Sequence, residues 1–298
     1  MKSTTRRRVV SVLLLCSFLC FLGGPAFAAD PESKPTSDET LAAKEKENQR
    51  KDRLFTDFFK DEGKMWSAPF RPTLKNTLIW GAVLAATGAL IANDESIYRN
   101  VKEYQGKHAW VDEVSPKITL LGDFGVASGI AGLFFLDGVI FRDEKARETG
   151  ILAIETLLHT GILAQVMKHL AGRKRPEVTE IGKDGWAGPA GFFKRYSEGF
   201  SLYDSFPSGH AITAWGLATV ISAQYRESPG VGIVCYSLAT LVGLSRVTED
   251  KHWMSDVVVG AALGFAIGRM VVRNERKRLQ VTPSALPRGA GVALTYEF

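Results

Sequence analysis

Cysteine is scarce in this chain, and what there is cannot cross-link it. Of the 3 cysteines in 298 residues, Cys16 and Cys20 fall in an N-terminal apolar run, which leaves Cys235 alone in the remainder. An internal disulfide is thereby excluded, and Cys235, set among apolar residues, reads as a small buried hydrophobe. Strand-type alternation is missing until the last eight positions, which excludes a sandwich or a barrel. The expected fold class is all-α, a bundle of about six helices with a short strand-like C-terminal tail. No Pro-rich or low-complexity tract divides the chain, so one folded domain is expected. A true surplus of charge is missing as well. The formal charge is +5, but Lys2, Arg6, Arg7 and Arg8 supply four of those charges before any acidic residue, and without them +1 is left. The pI near 9.0 is then a targeting feature, and it carries no argument for a nucleic-acid partner.

Those four cations precede the apolar run from Val9 to Leu22, and Pro25-Ala26-Phe27-Ala28 offers a small-x-small cleavage site. Residues 1–28 therefore read as a signal peptide, with an uncleaved anchor helix as the alternative. Export by this signal implies a periplasmic protein, soluble or membrane-associated. Residues 29–53 are charged and lack aromatics, as a polar linker would. Amphipathic and apolar helices are expected over 54–149, core helices over 150–272, and a basic helix end with the tail over 273–298. In the first of these, Leu54, Phe55, Phe58, Phe59, Met65 and Trp66 recur at helical spacing. Balanced charges on the polar side favour a helix packed on protein over one lying in a membrane interface.

Whether the apolar segments cross a bilayer is not decided by length alone. Thr77–Ala92 ends at Asn93-Asp94-Glu95, Ile118–Phe141 is interrupted by Asp123 and Asp137, and most other runs are shorter than the roughly 20 residues a span requires. If all the early segments crossed, Lys168 and Arg175 would be cytoplasmic, whereas Arg142, Arg226 and the 273–278 cations mark the opposite helix ends as cytoplasmic. A soluble bundle, or one early segment that lies flat or re-enters, removes the conflict.

Chemistry gathers at three places. Lys168 ends one apolar helix, and Arg175-Pro176 follows after the basic pair Arg173-Lys174; an Arg and a Lys at a loop apex suit phosphate oxygens. Pro207-Ser208-Gly209-His210 opens another helix, with Ser208 as expected N-cap, Gly209 admitting a ligand to the backbone, and His210 in the first turn able to give a proton to a leaving alkoxide. Finally, Arg246 stands before His252 and Asp256, a pair four residues apart on one helix face. There the carboxylate is expected to accept from one ring nitrogen and leave the other as nucleophile or base. Taken singly, each cluster is also what a capped helix start, a basic turn or a surface His–Asp pair would show. His159 and His169 lie on a helix but match no part of this pattern, and packing or surface roles are expected for them.

Jointly, the three clusters resemble the three-part signature of the type 2 phosphatidic acid phosphatase and vanadium haloperoxidase superfamily, over about residues 150–272. The resemblance implies that Lys168, Arg175 and Arg246 bind the phosphoryl oxygens, with Ser208 and Gly209 completing the pocket. It further implies that His252 is the nucleophile of a phosphohistidine intermediate, Asp256 its orienting partner and His210 the general acid. No metal and no cofactor are implied, and the partner is a phosphorylated lipid or a small phosphate ester. Phosphatidate, a prenyl diphosphate, a lipid A phosphate and a water-soluble ester all stay open. Two alternatives accompany this reading: a vanadate-dependent haloperoxidase, in which His252 would ligate vanadate, and a non-catalytic membrane-associated helical protein that keeps the fold.

Overall fold

A computed structural model describes residues 58–63, 65–67, 74–179, 185–191, 193–194, 202–279, 281–286 and 289–294. The expected signal peptide, the polar linker and the last four residues lie outside them. The chain divides into two compact units, residues 24–86, and residues 87–298 together with 1–23. In the first unit, residues 58–63 and 65–67 are helical, as their apolar spacing predicts. Trp66 donates its indole N–H to Glu62 one turn earlier at 2.7 Å, and the Phe58 and Phe59 rings meet edge to face at 5.5 Å.

The all-α expectation holds for the second unit. Helix α1 (Leu74–Lys107) begins in the first unit, and its residues from Thr87 onward belong to the second. The Asn93-Asp94-Glu95 tripeptide does not stop it, contrary to expectation. Asp94 turns inward and is buried, which a carboxylate tolerates only when its partners are in place, as they are here. The apolar run over 118–141 does break where Asp123 falls. Helix α2 (Trp110–Ile118) leads through a 3₁₀ turn (Thr119–Gly122) to α3 (Phe124–Ile140), with a bend of 54°. The cause is local: the Asp123 carboxylate accepts the N–H groups of Gly125 and Val126 at 2.9 and 3.2 Å and caps a new helix. Asp143 does the same for α4 (Glu144–Ala171). That helix stops at Gly172, whose φ of 52° is left-handed and where a Cβ would overlap the Gly188 carbonyl. Helices α5 (Gly209–Gln224), α6 (Pro229–Thr248) and α7 (Met254–Leu279) complete the bundle. The strand-like tail becomes an antiparallel hairpin, β1 (Val281–Leu286) with β2 (Gly289–Leu294), in which Val281 faces Leu294.

Helix α5 is central and packs on α4, α6 and α7. Its approach to α7 depends on Gly260, Gly264 and Gly268, one turn apart. A Cβ on Gly260 would stand 2.7 Å from the Ser208 carbonyl oxygen, one on Gly268 would stand 2.9 Å from that of Gly216, and one on Gly264 would overlap that of Ile212. With no side chains between them the two backbones touch, the contact that small residues make possible in apolar surroundings. This crossing seats the start of α7 beside the start of α5, and the Ser208 N–H donates to the Asp256 carbonyl at 3.0 Å.

Apolar run length understates these helices, because their charged ends continue the helical hydrogen bonding. Among the described residues, Glu144–Ala171, Pro229–Thr248 and Met254–Glu275 are each long and apolar enough to cross a membrane, and the bent pair Trp110–Gly122 plus Phe124–Ile140 would make a fourth. Large apolar side chains also face outward. Ile154, Leu158 and Ile162 form an exposed stripe at four-residue spacing on α4, and Leu136, Val139, Ile140 and Phe141 are exposed at the end of α3. Surfaces of this kind suit lipid better than water.

Gly264→Ala forces a methyl into the backbone of α5 and should cost about 1–3 kcal/mol. Gly129→Ala, where a Cβ meets nothing within 4 Å, should be neutral or better. Thermal unfolding of the two variants in the same detergent checks this, and equal melting temperatures would contradict the packing described.

Candidate active site

The structure brings every sequence-predicted site residue to one end of the bundle. Lys168 is in the last turn of α4, Ser208, Gly209 and His210 start α5, Arg246 is in the last turn of α6, and His252 and Asp256 lie at the entry to α7. The antiparallel course of α4 to α7 accounts for this, since two C-termini and two N-termini meet at the same end.

Lys168 and Arg175 share one carboxylate. Arg175 Nε donates to Asp204 Oδ1 at 2.8 Å, and Lys168 Nζ lies 3.5 Å from Asp204 Oδ2. A Cβ on Gly209 would stand 3.9 Å from the same ammonium, so the cation lies over the open backbone of the first turn of α5. Ser208 caps that turn through Oγ, which accepts from Ala211 N at 3.4 Å. Arg246 donates through Nη1 to Thr119 Oγ1 at 2.8 Å and to Glu249, while its buried Nε has no hydrogen-bond partner among the described residues. Gly122 packs directly on His210, whose Cβ and carbonyl oxygen lie 3.0 Å from where a Gly122 Cβ would be.

The His252–Asp256 pair differs from its expected form. Nδ1 of His252 is 2.6 Å from the Ser205 carbonyl oxygen and 3.7 Å from Asp256 Oδ2, so the backbone carbonyl, and not the carboxylate, is the acceptor. A carbonyl accepts only, which places the proton on Nδ1 and the lone pair on Nε2. Asp256 acts one step further out: its Oδ2 accepts from the Ser205 hydroxyl at 2.5 Å and from the Trp253 N–H at 2.9 Å. It thereby holds both the residue that supplies the acceptor and the residue that follows His252.

Three groups that complete this support were not assigned from the sequence. Arg173 is buried and paired with two carboxylates, Asp256 Oδ1 at 2.5 Å and Asp94 Oδ2 at 2.7 Å, and its guanidinium lies 4.6 Å from the Trp186 ring. Asp94 also accepts from Ser255 N at 2.9 Å, so a carboxylate on α1 caps the first turn of α7. Ser205 is the third. The available signal was Asp94 itself, a carboxylate at the end of an apolar segment, since such a group needs a partner when it is buried. His159 is fully buried on α4 with Nε2 3.7 Å from Glu155, and His169 lies 2.5 Å from the Gln165 carbonyl through Nδ1.

Burial holds His252 well below its ordinary pKa, and Lys168, Arg175 and Arg246 push it further down, against the Ser205 carbonyl that favours the charged form. His210 is held at about 3, by burial first and then by Arg246, His252 and Lys168, with Asp123 pulling the other way. Burial raises Asp204, but Lys168 and Arg175 more than offset it and keep it an anion. The site is thus two neutral imidazoles within a ring of cations, a field that attracts a small anion of high charge.

Residues 149–280 form a segment that matches the model of the PAP2 superfamily. All eight predicted site residues fall inside it. The chain is 26% identical over 205 residues to the lipid A 1-phosphatase of Porphyromonas gingivalis, a match covering 66% of this chain and 38% of that protein. To the lipid A 1-phosphatase of Rhizobium etli it is 25% identical over 199 residues, covering 63% and 81%. Among solved structures, the transmembrane PAP2-type phosphatidylglycerolphosphate phosphatase of Bacillus subtilis is similar over 67% of this chain and 94% of that one, with 24% identity and a TM-score of 0.49.

Two outcomes follow from the site. Arg173→Leu strands two buried carboxylates and should cost about 3–5 kcal/mol, more than Asp94→Asn, which keeps an oxygen for Ser255 N; thermal unfolding in detergent compares them, and the reverse order would contradict the network. Because the folded state holds His252 and His210 neutral, protons bind the unfolded chain more readily, and stability should fall as pH drops below about 6.5. The matching spectroscopic result is that neither imidazole titrates in NMR spectra of the free protein between about pH 7.5 and 5; a midpoint within that range would overturn the electrostatic description.

Proposed function

We propose that the chain is a phosphatase that hydrolyses a phosphate ester or diphosphate of a lipid through a phosphohistidine on His252. The observation that carries this reading is the convergence of Lys168, Arg175 and Arg246 on a neutral His252 whose Nδ1 is tied to the Ser205 carbonyl at 2.6 Å. In the first step Nε2 attacks phosphorus, the bond to the leaving oxygen breaks, and His210 gives that oxygen its proton. The three cations take the charge that develops on the equatorial oxygens. A bound phosphate dianion offsets the cations that add to burial in holding His210 neutral, which favours uptake of a proton from solvent to form the imidazolium needed for this step. In the second step water attacks phosphorus, the P–N bond breaks, and His210 accepts the proton of the water. The residues alone account for the charge balance, and the resemblance implies a reaction without metal, which a chelator tests.

The lipid part of the reading rests on the surroundings. An apolar cavity of about 430 Å³ borders the turn that carries Arg246, with Ile97, Trp110, Val114, Leu241, Leu244 and Met254 among its walls. The serine and threonine hydroxyls on its wall are committed to each other and to backbone, as in Ser115 with Thr248 at 2.8 Å and Ser245 with the Val242 carbonyl at 2.8 Å. Such walls favour a hydrocarbon chain over a sugar or a base. Three helices able to cross a membrane and the outward apolar stripe on α4 support a substrate presented from lipid. The relatives named as lipid A 1-phosphatases make lipid A 1-phosphate the first lipid to try, with phosphatidate beside it.

The test is phosphate release by the full chain in detergent with a chelator present, on an aryl phosphate and on each dispersed lipid, for the native protein and His252→Ala. Turnover that survives chelation, falls at least about a thousandfold in the variant and is higher in kcat/KM on a lipid is expected. Turnover retained by His252→Ala, or abolished by the chelator, would sink the mechanism; a preference for the aryl phosphate would sink the lipid assignment.

A further inference from the structure

The loop that carries His252 is held from α1, a helix outside the segment that matches the family. Asp94, Tyr98 and Lys102 stand at i, i+4 and i+8 on one face of α1, a stripe about 12 Å long, and all three reach the chain between α6 and α7. Lys102 takes the entry to the loop: its ammonium donates to the Thr248 carbonyl at 3.2 Å and pairs with Asp250 Oδ1 at 2.6 Å. Tyr98 takes the middle, where its hydroxyl faces the Asp250 carboxylate and its ring lies 5.6 Å from that of Trp253. Asp94 takes the exit, accepting from Ser255 N at 2.9 Å and pairing with Arg173.

What these contacts hold is a strained turn. Asp250 has φ of 61°, a left-handed conformation that a residue with a side chain adopts at some cost. Its carboxylate is gripped by two residues of α1, which offsets that cost, and the turn it makes lets both Lys251 N and His252 N donate to the Arg246 carbonyl, at 3.0 and 3.2 Å. The position of the imidazole relative to Arg246 is therefore set by the backbone at 250, and the backbone at 250 by Tyr98 and Lys102. Since the Lys102–Asp250 pair is about a third exposed, with both side chains at 31%, it adds little to global stability as an ion pair. Geometry is its contribution.

We propose that Tyr98 and Lys102, with Asp94, are positioning residues for the nucleophile: α1 brackets the loop at both ends and aims His252 at the phosphorus. This rests on the phosphatase reading for its kinetic form but not for its structural form. A displacement of about 1 Å at a reacting atom can cost on the order of a hundredfold in rate, whereas the phosphate-binding cations are carried by other elements and should bind as before.

The experiment compares the native full chain in detergent with Lys102→Met, Lys102→Arg and Tyr98→Phe, measuring kcat and KM on an aryl phosphate and, in parallel, amide hydrogen exchange across residues 249–255. Lys102→Met should lower kcat about tenfold to a hundredfold with KM within about threefold, Lys102→Arg should restore most of the loss, and exchange at 249–255 should quicken in Lys102→Met while α5 stays protected. Unchanged kcat with unchanged exchange would overturn the proposal, and so would a loss of kcat shared with rising KM and general deprotection, which marks a merely structural residue. If the native protein turns over no phosphate ester, the phosphatase reading fails by itself, and the exchange data still decide whether α1 holds the loop.

Discussion

One buried guanidinium organises the working end of this protein. Arg173 lies between Asp94 of α1 and Asp256 of α7, and all three groups are almost wholly removed from solvent. None of them could be buried alone, because an isolated charge in a protein interior is several kcal/mol too costly. Together they fix where the turn after α4, the start of α7 and the middle of α1 must meet. That meeting sets Ser205 against Asp256, and Ser205 in turn supplies the carbonyl that orients His252.

The helices supply this end of the bundle with its chemistry by a simple geometric rule. Antiparallel helices place their termini alternately, so four successive helices deliver two C-terminal cations, Lys168 and Arg246, and two N-terminal histidines, His210 and His252, to one place. The glycines of α7 let the two N-termini come close enough to share hydrogen bonds, as between Ser208 and Asp256. Electrostatics then complete the site: cations that would repel one another are separated by Asp204 and Glu249, and the imidazoles among them stay neutral.

The sequence disclosed the two parts of this arrangement unequally. Apolar periodicity and a cap such as Ser208 act locally, so the helical class and most helix starts were legible. The three clusters were legible because their residue types suit one anion, although the resemblance was needed to join them. What was not legible depends on contacts distant in sequence. Asp94 looked like a helix stop because its partner, Arg173, is 79 positions away. The expected hydrogen bond from His252 to Asp256 obeyed helical spacing, but His252 precedes the helix, where a loop carbonyl reaches the ring first. The run-length argument against spans failed for a related reason, since helices do not end where hydropathy does. The expected signal peptide falls outside the described residues.

The central claim is that a neutral His252 receives the phosphoryl group, and the most direct measurement is to catch it there. The full chain in detergent is mixed with an aryl phosphate, quenched in alkali within the first turnovers, digested and sequenced by mass spectrometry, since phosphohistidine survives base better than acid. A phosphate on the peptide containing His252, formed and lost at rates that match turnover, is the predicted result. Turnover with the phosphate on another residue, or with no phosphorylated residue under conditions where the intermediate should accumulate, would contradict the account.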